Sequence, residues 1–399
     1  MSWTLSAMAA LLLTPYVWRV LVWKANWDRI EQADNAGEAT DSMTGQTSQL
    51  SVIIPVRDEA ANLPGLLDDL ARQVGLASQV GALQILVVDD HSQDRTAEIV
   101  GRWPGIELVV NDGEGKKAAI ATGMRRAVND WVATLDGDVR VGQHWASAVC
   151  RAVEQSSDAR MLIGPVALSP ADKTGVQALQ TCWAQVQSLD YAAMMGWAAA
   201  TAAGGKPEMA SGANLVFRRA DYPTLDRIQP GVSSGDDAFA LEAVERQHGA
   251  AAICWIHDRD AIARTAGAPD LSSWWQQRLR WGGKARHYKS ARVKTTAAIV
   301  LGTALLQLGL LGWLACAITG TGAWAGLKIA PPAIAWTAVL IAKAATDCAF
   351  VRPVAKWFGL QAGHKSGVWA ALILLHPLMI VLPGLAGFVQ RPSWKGRKI

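Results

Sequence analysis

The feature that most constrains this chain is an alternation, starting at Leu50, of short β-branched runs with helix-forming stretches. The runs SVIIPV, LQILVVDD, IELVV and WVATL are separated by EAANLPGLLDDLARQ, DRTAEIVGRW and KKAAIATGMRRAV. Strands this continuously apolar need cover on both faces. The βαβαβαβ order therefore implies an α/β fold with a mostly parallel central sheet between helices. In open sheets of this kind ligands gather outside the carboxyl ends of the strands, so the polar residues after each strand are the candidates for chemistry.

The flanks have a different character. Trp3 to Trp23 is an apolar stretch of roughly 20 residues, about the length that crosses a bilayer core, interrupted by Pro15 and Arg19. It is longer than the apolar part of a cleaved signal peptide and no small-residue cleavage site follows, so a retained anchor over residues 1–25 is expected. Residues 26–49 are polar without an apolar period and read as a linker. Beyond Arg292 three further apolar spans are expected at about 295–318, 329–349 and 367–388. Arg352, Lys356 and Lys365 place the loop between the last two on the cytoplasmic side. Three full crossings would then put the basic tail, residues 391–399, outside, against the positive-inside rule. Pro377 and Pro383 allow the last span to bend or re-enter instead.

Composition agrees with a mixed architecture. The 399 residues are 51% hydrophobic and only 18% charged, with a mean hydropathy of +0.14, between a soluble enzyme and a polytopic membrane protein. Nineteen Trp against five Phe and four Tyr favour a membrane interface, where an indole ring is half wet. A net charge of +4 with no basic run interleaved with aromatics argues against nucleic acid and for contact with membrane lipids. Five cysteines without a C-x-x-C pair suggest neither a disulfide framework nor a zinc site, which suits a reducing face.

Asp136-Gly137-Asp138 follows WVATL, so two carboxylates leave one strand end with a permissive glycine between them. Mg²⁺ or Mn²⁺ takes oxygen ligands and commonly binds one or two carboxylates plus substrate phosphates. Alone the triplet is more often a turn; its position in the βα series reverses that in favour of the metal reading. Asp89 and Asp90 end LQILVV, and Pro55 with Arg57-Asp58-Glu59 ends SVIIPV. These can meet a base and ribose, or, through Asp58 and Asp94, cap helices. Gly113-Glu114-Gly115-Lys116-Lys117 opens a helix, and the glycines with Lys116 and Lys117 make a diphosphate contact or a solvated pair. Gly235-Asp236-Asp237 precedes AFALEAVERQ, where a carboxylate can act as general base or as a helix cap. Ser211-Gly212-Ala213-Asn214 is a polar turn that can border an acceptor. On a later helix Trp274, Gln277, Trp281, Lys284 and Tyr288 share a face, suited either to a membrane interface or to closing over a ligand.

In this order SVIIPVRDEA, VVDDHSQDRT, the Asp136–Asp138 pair, SGANLVFRR, SGDD and Gln277-Arg278-Leu279-Arg280-Trp281 as Q-x-x-R-W resemble the membrane-associated branch of the family 2 glycosyltransferases. The resemblance spans about Leu50 to Tyr288. It implies a GT-A-type nucleotide-sugar-binding domain, a nucleotide diphosphate sugar donor, and Mg²⁺ or Mn²⁺ at Asp136 and Asp138. Glu59 and Asp90, with Pro55 and Asp89 beside them, would meet the nucleoside. Lys116, Lys117, Asp136 and Asp138 would meet the diphosphate, and Asp237 would be the general base. Gln277, Arg280 and Trp281 would clamp the donor, and Trp281 would also border the acceptor with Ser211, Gly212 and Asn214. Two departures bear on this. Asp58 stands where Asn is usual before the Glu, and Asp236 replaces the Glu of a Glu-Asp pair, which leaves base assignment between Asp236 and Asp237 less secure.

The expected organisation is thus an anchor at 1–25, a linker at 26–49, a cytoplasmic GT-A domain at 50–292, C-terminal membrane helices at 293–390 and a basic tail at 391–399. One helix before and about three after the domain resemble lipid glycosyltransferases such as the ceramide glucosyltransferase type. The expected reaction is inverting transfer to a membrane lipid at the cytoplasmic membrane. The alternative is a processive polysaccharide synthase extending a glycan, as in cellulose, chitin or hyaluronan synthases. A catalytically dead scaffold is disfavoured by the retained acidic set, and a transporter by the absence of inverted repeats.

Overall fold

The computed structural model describes residues 2–37, 49–74, 83–169, 182–223, 235–284, 287–319, 330–360, 366–387, 393–394 and 397–398. In chain order the elements are α1 (Ser2–Gly37), β1 (Leu50–Val56), α2 (Leu63–Ala71), β2 (Leu83–Asp89), α3 (Thr96–Val100), β3 (Ile106–Val110), α4 (Lys116–Arg126), β4 (Trp131–Leu135), β5 (Arg140–Val141) and α5 (Trp145–Gln155). They continue with β6 (Met161–Ile163), β7 (Val166–Ser169), α6 (Cys182–Ala203), β8 (Asn214–Arg218), α7 (Asp236–His248), β9 (Ile253–Trp255), β10 (Ala263–Ala266) and α8 (Leu271–Gly283). Last come α9 (Ala291–Thr319), α10 (Ala330–Trp357), α11 (Ser366–Ala386), β11 (Ser393–Trp394) and β12 (Arg397–Lys398).

The chain divides into two units. One holds Asn26–Leu179, Met194–Gly267 and Trp394–Ile399. Its seven-stranded sheet runs β3-β2-β1-β4-β8-β6-β9. β1 pairs in parallel with β2 and β4, and β2 with β3, while β8 runs antiparallel to both β4 and β6. The expected mostly parallel α/β sheet is therefore the observed one. Ile53, Leu86, Val88, Val132, Ile163, Leu215 and Phe217 are buried in one continuous core with Ile120 and Met124 of α4. Each fully buried side chain of this size stabilises by about 2 kcal/mol. That holds the strands rigid while their polar ends stay out of the core. A three-stranded sheet, β5-β10-β7, lies in the same unit.

The stretch expected as a linker begins as helix. α1 continues to Gly37, because Trp27 is fully buried with its ring edge-on to His257 at 5.4 Å and Asn26 donates to the Ala200 carbonyl at 3.0 Å. Tertiary packing supplies there the apolar contact that the sequence does not advertise as periodicity. Residues 38–48 lie outside the described residues.

The other unit holds Met1–Ala25, Gln180–Ala193 and Ala268–Ser393. Among the described residues three helices in it are long and apolar enough to cross a membrane, Ala291–Thr319, Ala333–Trp357 and Ser366–Ala386. The first part of α1 packs on them. Tyr16 donates to Asp347 at 2.7 Å, Arg19 donates to Thr296, and Trp23 meets Phe350 at 6.0 Å between ring centroids. Lys343 completes the cluster by donating to Asp347 at 2.5 Å, so these ionisable groups among apolar helices are paired with each other. The tail outside residues 393–394 and 397–398, and Lys365 with its loop, fall outside the described residues.

Candidate functional site

The chain passes from β1 to β2 to β3 in one direction and then returns to the far side of β1 as β4, so the topological switch lies between β1 and β4. The pairing of β1 with β4 covers Leu50 to Ile53 only, whereas that with β2 continues to Val56. From there the strand ends part. Pro55, which cannot donate a ladder hydrogen bond, sits where the β4 side makes no demand for one. Two expected site segments flank this opening, Arg57–Glu59 after β1 and Asp136–Asp138 after β4. Gly137 lets them approach: a Cβ there would lie 3.0 Å from Val56 Cγ1 and 3.2 Å from Glu59 Cγ.

The loops after β1 and β2 are stitched together. Asp58 and His91 both have left-handed backbones, at φ 51° and 60°, which few residues other than Gly, Asn and Asp adopt readily. This accounts for Asp in the place of the usual Asn. The Asp58 carboxylate accepts from the Gln93 amide at 2.7 Å, its own amide donates to Ser92 Oγ at 3.0 Å, and His91 Nε2 meets the Gly113 carbonyl at 3.0 Å. Asp89 accepts from the Ser92 amide at 3.2 Å. Asp90 is buried and accepts from Asn111 Nδ2 and from the Gly115 amide, each at 2.8 Å. Asp90 thereby sets the glycine loop that opens α4.

Lys116, on the first turn of α4, joins three separate parts of the chain. Its ammonium lies 2.6 Å from Asp136 Oδ1 and 2.8 Å from Asp236 Oδ2, and donates to the Gly212 carbonyl at 3.2 Å. Burial alone would lower its pKa, but the Asp136 and Asp236 carboxylates outweigh burial and raise it. Gly212 is required by this contact, since a Cβ would fall 2.7 Å from Asp236 Oδ2 and 2.9 Å from Lys116 Nζ. Asp136 is pushed up by burial and by Asp236 and Asp237, with Lys116 opposing. Asp138 opens to solvent at the rim, yet burial of the surrounding recess, then Asp136 and Glu59, push it up to about 6. Glu59, Asp136, Asp138, Asp236 and Asp237 thus bear on one another electrostatically with Lys116 among them, leaving the recess net negative. Two strand-end carboxylates with that surplus charge suit a hard divalent cation completed by phosphate oxygens. No closed cluster of three or more metal-ligating side chains occurs among the described residues.

Lys117 turns instead onto the Phe239 ring of α7, 4.9 Å from its centroid. Ser211 is half-buried beside Gly212. Asn214 departs from its expected place at an acceptor border. It is fully buried and donates to the Pro165 and Ala261 carbonyls at 3.0 and 2.9 Å, because β8 begins at this residue and leads it inward. Gln277, Arg280 and Trp281 lie on α8, in the other unit, where Trp281 stands 6.1 Å from Tyr191 between ring centroids. Asn111 and Tyr222 are additions that no motif marks. Asn111 is a lone residue after β3, and the Tyr222 hydroxyl is buried, its pKa raised by that burial and then by Asp236. Only the fold brings either one to the site.

Residues 51–174 match the domain described as Glycosyl transferase family 2. An undecaprenyl-phosphate 4-deoxy-4-formamido-L-arabinose transferase of Pectobacterium carotovorum is 31% identical over 137 residues, 33% of this chain and 40% of its own length. A glycosyltransferase, AglE, of Haloferax volcanii is 35% identical over 108 residues, 26% of this chain and 34% of its own. The chain thus spans 40% or less of the length of these curated relatives. Among solved structures a mannosyltransferase from Pyrobaculum calidifontis, in complex with GDP-Man and Mn²⁺, superimposes with a TM-score of 0.52 at 18% identity, over 94% of this chain and 97% of its own. At that identity the likeness is one of fold, and it agrees with the expected GT-A-type architecture with appended apolar helices. Residues 51–174 of this chain are thus similar to the glycosyl transferase family 2 domain.

Proposed function

We propose that the protein is an inverting glycosyltransferase that moves a sugar from a nucleotide diphosphate donor to a membrane lipid. The observation that carries this is the meeting of Asp136, Lys116 and Asp236, from three separate segments, at the switch point of a family 2 domain. The nucleoside sits against Pro55, Glu59, Asp89 and Asp90, with the two aspartates acting largely through the loops they hold. The ammonium of Lys116 faces the diphosphate. Asp136 and Asp138 hold Mg²⁺ or Mn²⁺, which when bound supplies charge stabilisation for the departing diphosphate. Lys116 engages Asp236, and Asp237, next to it at the start of α7, takes the proton of the acceptor hydroxyl. The acceptor oxygen bonds to the anomeric carbon on one face as the bond to the diphosphate breaks on the other, which inverts the centre.

A lipid acceptor is supported by the three apolar helices and by the undecaprenyl-phosphate named for a relative. The test is to incubate membranes containing the protein with labelled nucleotide sugars, Mg²⁺ and extracted lipid. Label in an organic-soluble, single-sugar lipid is expected, and a long aqueous polymer would replace this reading with a processive synthase.

The pKa of Asp138 carries a pH expectation. A carboxylate ligates a cation and a carboxylic acid does not, so Mn²⁺ affinity read by electron paramagnetic resonance falls as pH drops through about 6. The metal-free protein responds with the opposite sign. A carboxyl raised in the folded state binds protons more tightly there than when unfolded, so this group adds stability as pH falls from above 6 toward the ordinary carboxylate range. Solvent access to Asp138 keeps that contribution small.

The domain faces the cytoplasm in this reading, with α9 and α10 crossing. Trp369, early in α11, lies under Arg352 near the end of α10, at 5.5 Å. Later in α11, the Pro383 carbonyl would meet a Cβ on Gly282 at 3.2 Å, and Gly387 approaches Gly283 equally closely. Both ends of α11 therefore lie beside segments on one side of the α9–α10 hairpin, with Pro377 between them to allow a bend. That leaves the basic tail on the cytoplasmic side. A single reactive cysteine placed at Gly387 is expected to label with impermeant maleimide in inverted vesicles and not in intact cells; labelling in intact cells would mean that α11 crosses.

A further inference from the structure

Resting on the reading that Trp281 borders the acceptor, we propose that the Asp190–Arg278 ion pair is the device that sets the position of the Trp281 indole. Arg278 occupies an unspecified place inside Q-x-x-R-W, yet its side chain is only 11% exposed and it donates to Asp190, itself 5% exposed. Trp274, Arg278 and Trp281 fall on one face of α8 by four- and three-residue spacing. The guanidinium lies 5.5 Å from the Trp274 ring centroid and 4.9 Å from that of Trp281. From α6, Trp183 meets Trp274 edge-on at 5.4 Å and Tyr191 meets Trp281 at 6.1 Å. Gln187 on the same helix donates to the Ala268 carbonyl at 3.2 Å and accepts from its amide at 3.1 Å.

These contacts have distinct roles. Gln187 and the Trp183–Trp274 pair fasten the approach to α8, whereas Arg278 bears directly on Trp281. A planar, delocalised cation can offer its edge to Asp190 and its face to the indole together, which a lysine ammonium cannot do. Asp190 neutralises the buried charge and prevents the guanidinium from turning outward. Arg278 is thus a positioning residue that acts through Trp281, while Arg280 lies off that face.

The test uses the full-length protein and the lipid transfer assay, with Arg278→Met, Arg278→Lys, Trp281→Ala and the double variant Arg278→Met/Trp281→Ala. Arg278→Met is expected to raise the acceptor KM by about tenfold or more and to add little in the Trp281→Ala background, the non-additivity of residues acting as a unit. Arg278→Lys keeps the charge pair and the melting temperature but is expected to raise KM as well, which a purely structural role would not do. An equal cost of Arg278→Met in both backgrounds, or a normal KM in Arg278→Lys, overturns the proposal. If Trp281→Ala leaves KM unchanged while Arg278→Met raises it, the proposal and the clamp role of Trp281 fall together. The donor-site reading is tested separately by Asp136.

Discussion

Asp136→Ala is expected to lower kcat/KM for transfer by at least about 10³-fold and leave the protein folded. The size follows from the several kcal/mol of charge stabilisation that a divalent cation lends a departing diphosphate, each 1.4 kcal/mol being about tenfold in rate. The retained fold follows from the site. Losing one partner of a buried pair is costly when it strands the other, but Lys116 keeps Asp236 at 2.8 Å and the Gly212 carbonyl at 3.2 Å. Asp136 also stands at a strand end rather than in the core, and its own pKa is raised by burial, so its removal relieves a cost. Steady-state kinetics, with a melting temperature within about 4 °C of the wild type, is the measurement. Turnover near the wild-type rate would take the metal role away from this carboxylate.

Asp237→Asn is expected to lower kcat by about 10²- to 10⁴-fold with donor affinity unchanged, the range for removing a positioned general base. Asp236→Asn separates the two neighbours. Asp236 touches Lys116, so its loss is expected to appear first as weaker donor binding, read by titration with the nucleoside diphosphate. Asp237 accepts from the Ala238 amide at 2.7 Å on the first turn of α7. If the kcat effect followed Asp236 and spared Asp237, the two roles would exchange. This pair was the least secure assignment from residue order, and the ion pair to Lys116 is what distinguishes its members.

Much of the fold is legible in residue order because its determinants are local. SVIIPV, LQILVV, IELVV and WVATL are too apolar to tolerate water on either face, so β1 to β4 follow from composition and spacing. The runs after Arg292 are long enough to expect α9 and α11 within a few residues, while α10 continues past its expected end near 349 to Trp357, taking in Arg352 and Lys356, which were expected in the loop. The acidic segments at strand ends were visible for the same reason: a polar pair at the end of an apolar strand cannot be core. Residue order fell short wherever the determinant was a neighbour distant in sequence. It read Asn26 onward as a linker, since Trp27 is buried only by contacts such as His257. It placed Asn214 at an acceptor border, since the Pro165 and Ala261 carbonyls that hold it inward come from other loops.

The sequence by itself therefore determined the α/β class, the apolar helices and the set of acidic candidates, because hydrophobic period and strand-end polarity act over a few residues. The tertiary structure alone decided which candidates share a charge. Lys116 joins Asp136 to Asp236 across 20 and 120 positions of chain, and Asp190 holds Arg278 across 88. Such pairings depend on Coulomb attraction between groups that only the folded chain brings within 3 Å, and no local pattern encodes them.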